Sequence, residues 1–129
     1  LAEKPSILVI DDEEIVRISC QRVLAPLGYE VVTATSGAAG LDLVRDREFD
    51  LVLTDLKMPD MDGLEVMSRI KGRLPKAKVI IITGYSTVEV AVRALGEGAF
   101  KYIEKPFTPD TLLAAVREAL EDRGGQESA

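Results

Sequence analysis

Histidine is absent from all 129 residues of this chain. That absence excludes His-based catalytic triads, imidazole-ligated metal sites and any part as the histidine-bearing member of a phosphate relay. Cysteine occurs once, at Cys20, so no internal disulfide can form, and a reducing cytoplasm is the expected compartment. Its place on an apolar helical stripe predicts a packed thiol and not a reactive one. No apolar run approaches the roughly 20 residues of a membrane span, which removes a membrane-embedded role. Excess positive charge is also missing. The net charge is −6, so this segment has no basic footprint with which to gather the phosphates of DNA or RNA, and direct nucleic-acid contact is not expected. Residues 1–5 lack the basic region and apolar stretch of a secretory leader, and lack an initiator Met, which reads as a processed or excised piece.

What is present fits one domain with one core. Short, mostly β-branched apolar runs at 6–10, 29–34, 51–54, 78–83 and 101–104 read as strands buried on both faces. Helical stripes alternate with them. Val16, Cys20, Val23, Leu24 and Leu27 share one face of a first helix closed at Gly28. Ser36 caps a second over 36–48, with Ala38, Leu41 and Val44 inward. Leu64, Met67, Ile70 and Leu74 stripe a third, Val88, Ala91, Val92 and Leu95 a fourth, and Leu112, Val116, Ala119 and Leu120 a fifth. This (βα)5 alternation predicts an α/β fold with a doubly wound parallel sheet, flavodoxin-like, in the order 2-1-3-4-5. The domain is expected to span 1–122, with 123–129 a polar tail or the start of a linker.

In that order the ends of strands one, three, four and five meet at a single crevice, where open α/β sheets bind ligands. They deliver Asp11 and Asp12, Asp55, Thr83 and Lys105. Two unit charges 4 Å apart interact by about 4 kcal/mol at an effective dielectric of 20, so three clustered carboxylates call for a cation. All the donors are hard oxygens, which favours Mg²⁺, with Mn²⁺ able to substitute, over Zn²⁺. A metal beside a carboxylate and opposite a lysine is equipment for phosphoryl transfer, here with a carboxylate nucleophile that forms an acyl phosphate. Each piece alone has a plainer reading: Asp11-Asp12 as a helix cap, Asp55 as the start of a turn, Thr83 as strand-end chemistry, Lys105 as a solvated charge. Their joint spacing is what favours one site.

These residues sit in extended motifs: Asp11-Asp12, Asp55-Leu56-Lys57-Met58-Pro59-Asp60-Met61-Asp62-Gly63, Thr83-Gly84 and Tyr102-Ile103-Glu104-Lys105-Pro106-Phe107. Over residues 5–122 the chain resembles a receiver domain of the two-component response regulator family. The stretches 83–87 and 98–102 resemble receivers that precede ATPase-type transcription activators. The resemblance implies that Asp55 accepts a phosphoryl group from a phosphohistidine on a histidine kinase or phosphotransfer protein. It implies Mg²⁺ held by Asp12, Asp55 and the Lys57 backbone carbonyl, with Asp11 acting directly or through water. Lys105 would pair with Asp55 and then with the phosphoryl group, across a cis peptide to Pro106. Thr83 would donate its hydroxyl to a phosphoryl oxygen, and Tyr102 would follow as the second switch residue. Lys57 and Tyr85 would tune acyl-phosphate lifetime.

The implied output is a changed surface on helix four, strand five and helix five that controls an effector domain or protein, a transcriptional one being expected. A homodimer through the same face is a further expectation. The chain would act as a phosphoacceptor and not as a turnover enzyme. Two other readings compete. Aspartyl phosphohydrolases of the haloacid dehalogenase type want a second Asp two residues after the nucleophile, where this chain has Lys57. A degenerate receiver acting as a constitutive interaction module would not need the intact set of Asp11, Asp12, Asp55, Thr83 and Lys105.

Overall fold

The computed structural model describes residues 4–84 and 87–122. Tyr85 and the expected tail at 123–129 lie outside the described residues.

Five strands, β1 (Ser6–Ile10), β2 (Glu30–Ala34), β3 (Leu51–Asp55), β4 (Lys78–Thr83) and β5 (Lys101–Glu104), form one parallel sheet in the order β2-β1-β3-β4-β5. Helices α1 (Glu14–Leu24), α2 (Gly37–Asp46), α3 (Gly63–Arg73), α4 (Val88–Gly96) and α5 (Pro109–Glu121) alternate with them. The expected (βα)5 fold and strand order are therefore observed.

Period-two alternation along the central strands builds two cores. Leu8, Ile10, Val52, Val79 and Ile81 face one way, onto Val44, Val66, Met67, Ile70 and Ala94 of α2, α3 and α4. Ile7, Val9, Leu51, Leu53, Ile80 and Ile82 face the other, onto Val16, Cys20 and Leu24 of α1 and Leu112 and Val116 of α5. Each large aliphatic side chain buried in this way contributes about 1.5–3 kcal/mol. Because both faces are covered, β1, β3 and β4 carry continuous apolar runs, as expected. β2 lies at the sheet edge and is mostly half-buried.

Several local expectations need correction. α1 ends at Leu24, and a turn of 3-10 helix over Ala25–Leu27 follows because Pro26 cannot continue the α-helical bonding. Leu27 is consequently exposed, and Gly28 closes the turn in the left-handed region at φ 97°. α2 turns Gly37, Gly40 and Val44 inward and leaves Ala38 exposed. On α4 the apolar stripe read from periodicity lies largely outward: Val88, Val92 and Leu95 are exposed, and Ala94 and half-buried Val90 face the core.

Four helices open on a side-chain cap. Ser36 accepts from Ala39 N–H, Asp62 from Leu64, Thr87 from Val90 and Thr108 from Thr111, each bond worth on the order of 1 kcal/mol. No helix among the described residues is long and apolar enough to cross a membrane.

Candidate functional site

Strand register brings the site residues together. Ile10 pairs with Thr54, so Asp11 leaves β1 beside Asp55 at the end of β3. Asp55 pairs with Ile82, and Thr83 stands one residue beyond it; Thr83 in turn pairs with Glu104, one residue before Lys105. The Lys105 amide donates to the Thr83 carbonyl at 2.9 Å, and the peptide from Lys105 to Pro106 is cis. A cleft of about 710 Å³ opens over these strand ends, with Asp12, Asp55, Thr83 and Lys105 in its walls and Ile15 and Phe107 toward its apolar flank.

Within the cleft Lys105 Nζ lies 3.2 Å from Asp55 Oδ2, 3.0 Å from Asp11 Oδ2 and 2.7 Å from Glu13 Oε1. Burial pushes the Lys105 ammonium toward neutrality, but the bonds to Glu13 and Asp11 and the charges of Asp11 and Asp55 outweigh it, so its pKa is raised. Asp11 is moved upward by burial and by Asp55, against the opposing pull of the Glu13 N–H and Lys105. Asp11 Oδ1 accepts that N–H at 2.9 Å. Asp11 Oδ2 is close enough to Lys105 for an ion pair, yet it has no hydrogen bond of good alignment. The contact is thus an electrostatic attraction that leaves Asp11 Oδ2 with spare acceptor capacity.

Carboxylate oxygens of Asp11, Asp12 and Asp55 lie within 4.8 Å of one another, two of the residues buried and Asp12 exposed. Hard oxygen donors and a buried acceptor with spare capacity fit Mg²⁺. The plainer reading of the acidic pair as a helix cap does not hold, because the N-cap of α1 is Glu13.

The β3–α3 loop that follows Asp55 is fixed from several sides. Lys57 forms an antiparallel bridge with Asp62, and Gly63 N–H donates to the Leu56 carbonyl at 2.7 Å. Asp60 accepts from the N–H groups of Gly37 and Ala38 at 3.1 and 2.9 Å, tying the loop to the start of α2. These bonds, led by that from Ala38, hold its carboxyl below the usual range. Thr83 is buried, and Tyr102 is half-buried against the α2–α4 side of the sheet. Met67 is buried, and Met58 and Met61 pack partly against the same core. Burial pushes the Cys20 thiol up to about 12, consistent with an inert packed side chain.

Every described residue expected at the site is therefore at or near this strand-end cleft except Tyr102, which lies on β5 against the core. Sequence reasoning missed Glu13, whose only signal was its place after the acidic pair, and the Asp60 clip, for which loop conformation leaves no signal in sequence.

A five-stranded parallel sheet of this order with an acidic crevice at its carboxyl edge defines a flavodoxin-like α/β domain with a ligand site at its strand ends. Residues 7–117 match the response regulator receiver domain family, and the chain belongs to it. Transcriptional regulatory protein ZraR of Escherichia coli O157:H7 is 45% identical over 114 residues, covering 88% of this chain and 26% of that protein. A CheY-like receiver domain from Methanospirillum hungatei JF-1 superposes with a TM-score of 0.90 at 35% identity, covering 96% of this chain and 99% of that one. The beryllofluoride-activated NtrC4 receiver domain dimer gives 0.87 at 34% identity, covering 92% and 98%. The chain spans about a quarter of the length of the curated relatives it matches.

Proposed function

We propose that Asp55 is the phosphoacceptor of a signalling switch. The observation that carries this reading is the convergence of Asp55, Asp11 and Lys105, with Asp55 Oδ2 3.2 Å from the Lys105 ammonium at the head of an open cleft. A carboxylate oxygen of Asp55 attacks phosphorus, and the P–N bond to a kinase phosphohistidine breaks with its electron pair leaving on the imidazole. Asp11, Asp12, Asp55 and the Lys57 carbonyl are the residues that would hold Mg²⁺, which when bound neutralises phosphoryl charge. Lys105 and the Thr83 hydroxyl take the phosphoryl oxygens.

The magnitudes suffice for switching. A shift from about 1:99 to 99:1 needs roughly 5.5 kcal/mol of differential binding. Two charge-assisted bonds of about 1.5–3 kcal/mol each supply most of it. Tyr102 and α4 carry the change to the α4–β5–α5 face, where exposed Val88, Val92 and Leu95 offer contact surface to an effector or to a second copy. We assign residues 1–122 to this domain and 123–129 to a linker. A transcriptional effector, a histidine kinase donor and a cytoplasmic setting complete the reading, and turnover is limited to the chain's own acyl phosphate.

Labelling by acetyl phosphate with Mg²⁺ tests it. The unmodified chain is expected to take up one phosphoryl group and Asp55→Asn none. Stoichiometric labelling of the variant at another residue refutes the assignment, and multiple turnover of a phosphomonoester would restore the hydrolase reading.

A further inference from the structure

The first helix departs from the other four at its N-terminus. Ser36, Asp62, Thr87 and Thr108 each accept an N–H of their own helix, whereas Glu13, at the same position of α1, gives its helix no side-chain bond. Its carboxylate reaches instead to Lys105, 92 residues away in sequence, and makes the shortest of the three ion pairs of that ammonium. An ammonium has three N–H bonds, and three carboxylates already surround this one. Phosphorylation turns the Asp55 carboxylate into an acyl phosphate and sets a group with three strong acceptor oxygens against the ammonium, and when that group takes two of the three N–H bonds either Asp11 or Glu13 has to yield. Of the two carboxylates that remain, the Asp11 side chain is 2% exposed and recovers little water on release, whereas that of Glu13 is 55% exposed and can exchange Lys105 for solvent.

We propose that Glu13 is a displaceable counter-carboxylate: a positioning residue that parks Lys105 toward α1 before phosphorylation and surrenders it to the phosphoryl group afterwards. The inference rests on Asp55 as phosphoacceptor and adds a built-in competitor that slows the reaction. Its charge beside the cleft also opposes anionic donors, so both effects have one sign.

The test uses the unmodified chain with Glu13→Gln and Glu13→Ala. At saturating Mg²⁺ the rate constant for labelling by acetyl phosphate is expected to rise roughly threefold to fivefold in both variants, in line with release of an exposed pair, while their melting temperatures stay close to that of the unmodified chain. In ¹³C spectra the Glu13 carboxyl resonance, assigned by its loss in Glu13→Gln, is expected to move toward that of a solvated glutamate when Mg²⁺ and beryllofluoride are added. Labelling rates within about 1.5-fold of the unmodified chain, or a Glu13 signal that stays put while the rest of the spectrum responds to beryllofluoride, overturn this inference alone. An unmodified chain that is neither labelled nor perturbed by beryllofluoride overturns it together with the phosphoacceptor reading.

Discussion

Gly63 packs directly against the backbone of Asp55. A β-carbon at position 63 would stand 2.7 Å from the Leu56 α-carbon and 3.0 Å from the Asp55 carbonyl carbon, and nearer still to the Asp55 carbonyl oxygen. The obstructing atoms are backbone, so no side-chain rotation relieves them, and the strand end that carries Asp55 would have to move. Gly63→Ala is therefore expected to cost about 2–3 kcal/mol by overpacking and to slow labelling of Asp55 as well. Urea denaturation and the acetyl phosphate reaction check the two effects; a loss under about 0.5 kcal/mol would show that the loop has slack.

Asp11 makes stability and ion binding pull in opposite directions. Its folded pKa is raised above 3.8, with burial as the main cause. The contribution of its neutral form is thus fully present below pH 3.8 and is lost as pH rises through the folded value, so at pH 7 the ionised group is a cost. Asp11→Asn is expected to stabilise the metal-free domain by on the order of 1 kcal/mol, the size usual for relieving unfavourable charge. The same substitution should remove most of the stabilisation by Mg²⁺, which for an intact site reaches about 2.7 kcal/mol at 100 times the dissociation constant. Thermal melts with and without Mg²⁺ separate the two; a variant that loses stability without Mg²⁺ would contradict the burial argument.

Lys105 has the opposite linkage. Its pKa is raised above 10.5 by its carboxylate partners in spite of burial, so the stability it contributes is fully present below pH 10.5 and disappears as pH rises through the folded value. Lys105→Met leaves Asp11 and Asp55 buried and facing each other without a cation. A loss of about 2 kcal/mol at pH 7 is expected, below the 3–5 of a fully buried pair because Glu13 is half in water. The gap between the two chains should hold from pH 7 to 10 and narrow above 10.5. A gap that is already closing near pH 9 would mean that Lys105 is not held by these carboxylates.

The fold and the centre of the site were legible for one physical reason: strands buried on both faces write continuous apolar runs, and the charged residues that end them must share an edge once the strands are parallel. That argument placed Asp11, Asp55, Thr83 and Lys105 without reference to loops. Glu13 and Asp60 escaped it because their bonds depend on how two loops approach each other across many residues of chain. The α4 stripe was found, but it lies on the solvent side. Periodicity detects an apolar face but not what covers it, and here the inward contacts come from Val90 and the small Ala94.

That exposed stripe yields the last prediction. Val88, Val92 and Leu95 are 80%, 63% and 48% exposed, so a polar replacement removes little buried surface from the folded chain. Val92→Asp is accordingly expected to change unfolding free energy by no more than about 0.5 kcal/mol, the range of ordinary surface substitutions. If the α4–β5–α5 face joins two copies in the active state, a charge at its apolar centre is left without a partner on association and opposes it. Sedimentation of the unmodified chain should then shift from monomer to dimer on addition of Mg²⁺ and beryllofluoride, and Val92→Asp should remain monomeric while still binding the mimic. A variant that dimerises as readily as the unmodified chain would place the contact on another face, since Val92 lies between exposed Val88 and Leu95 on the outward stripe of α4.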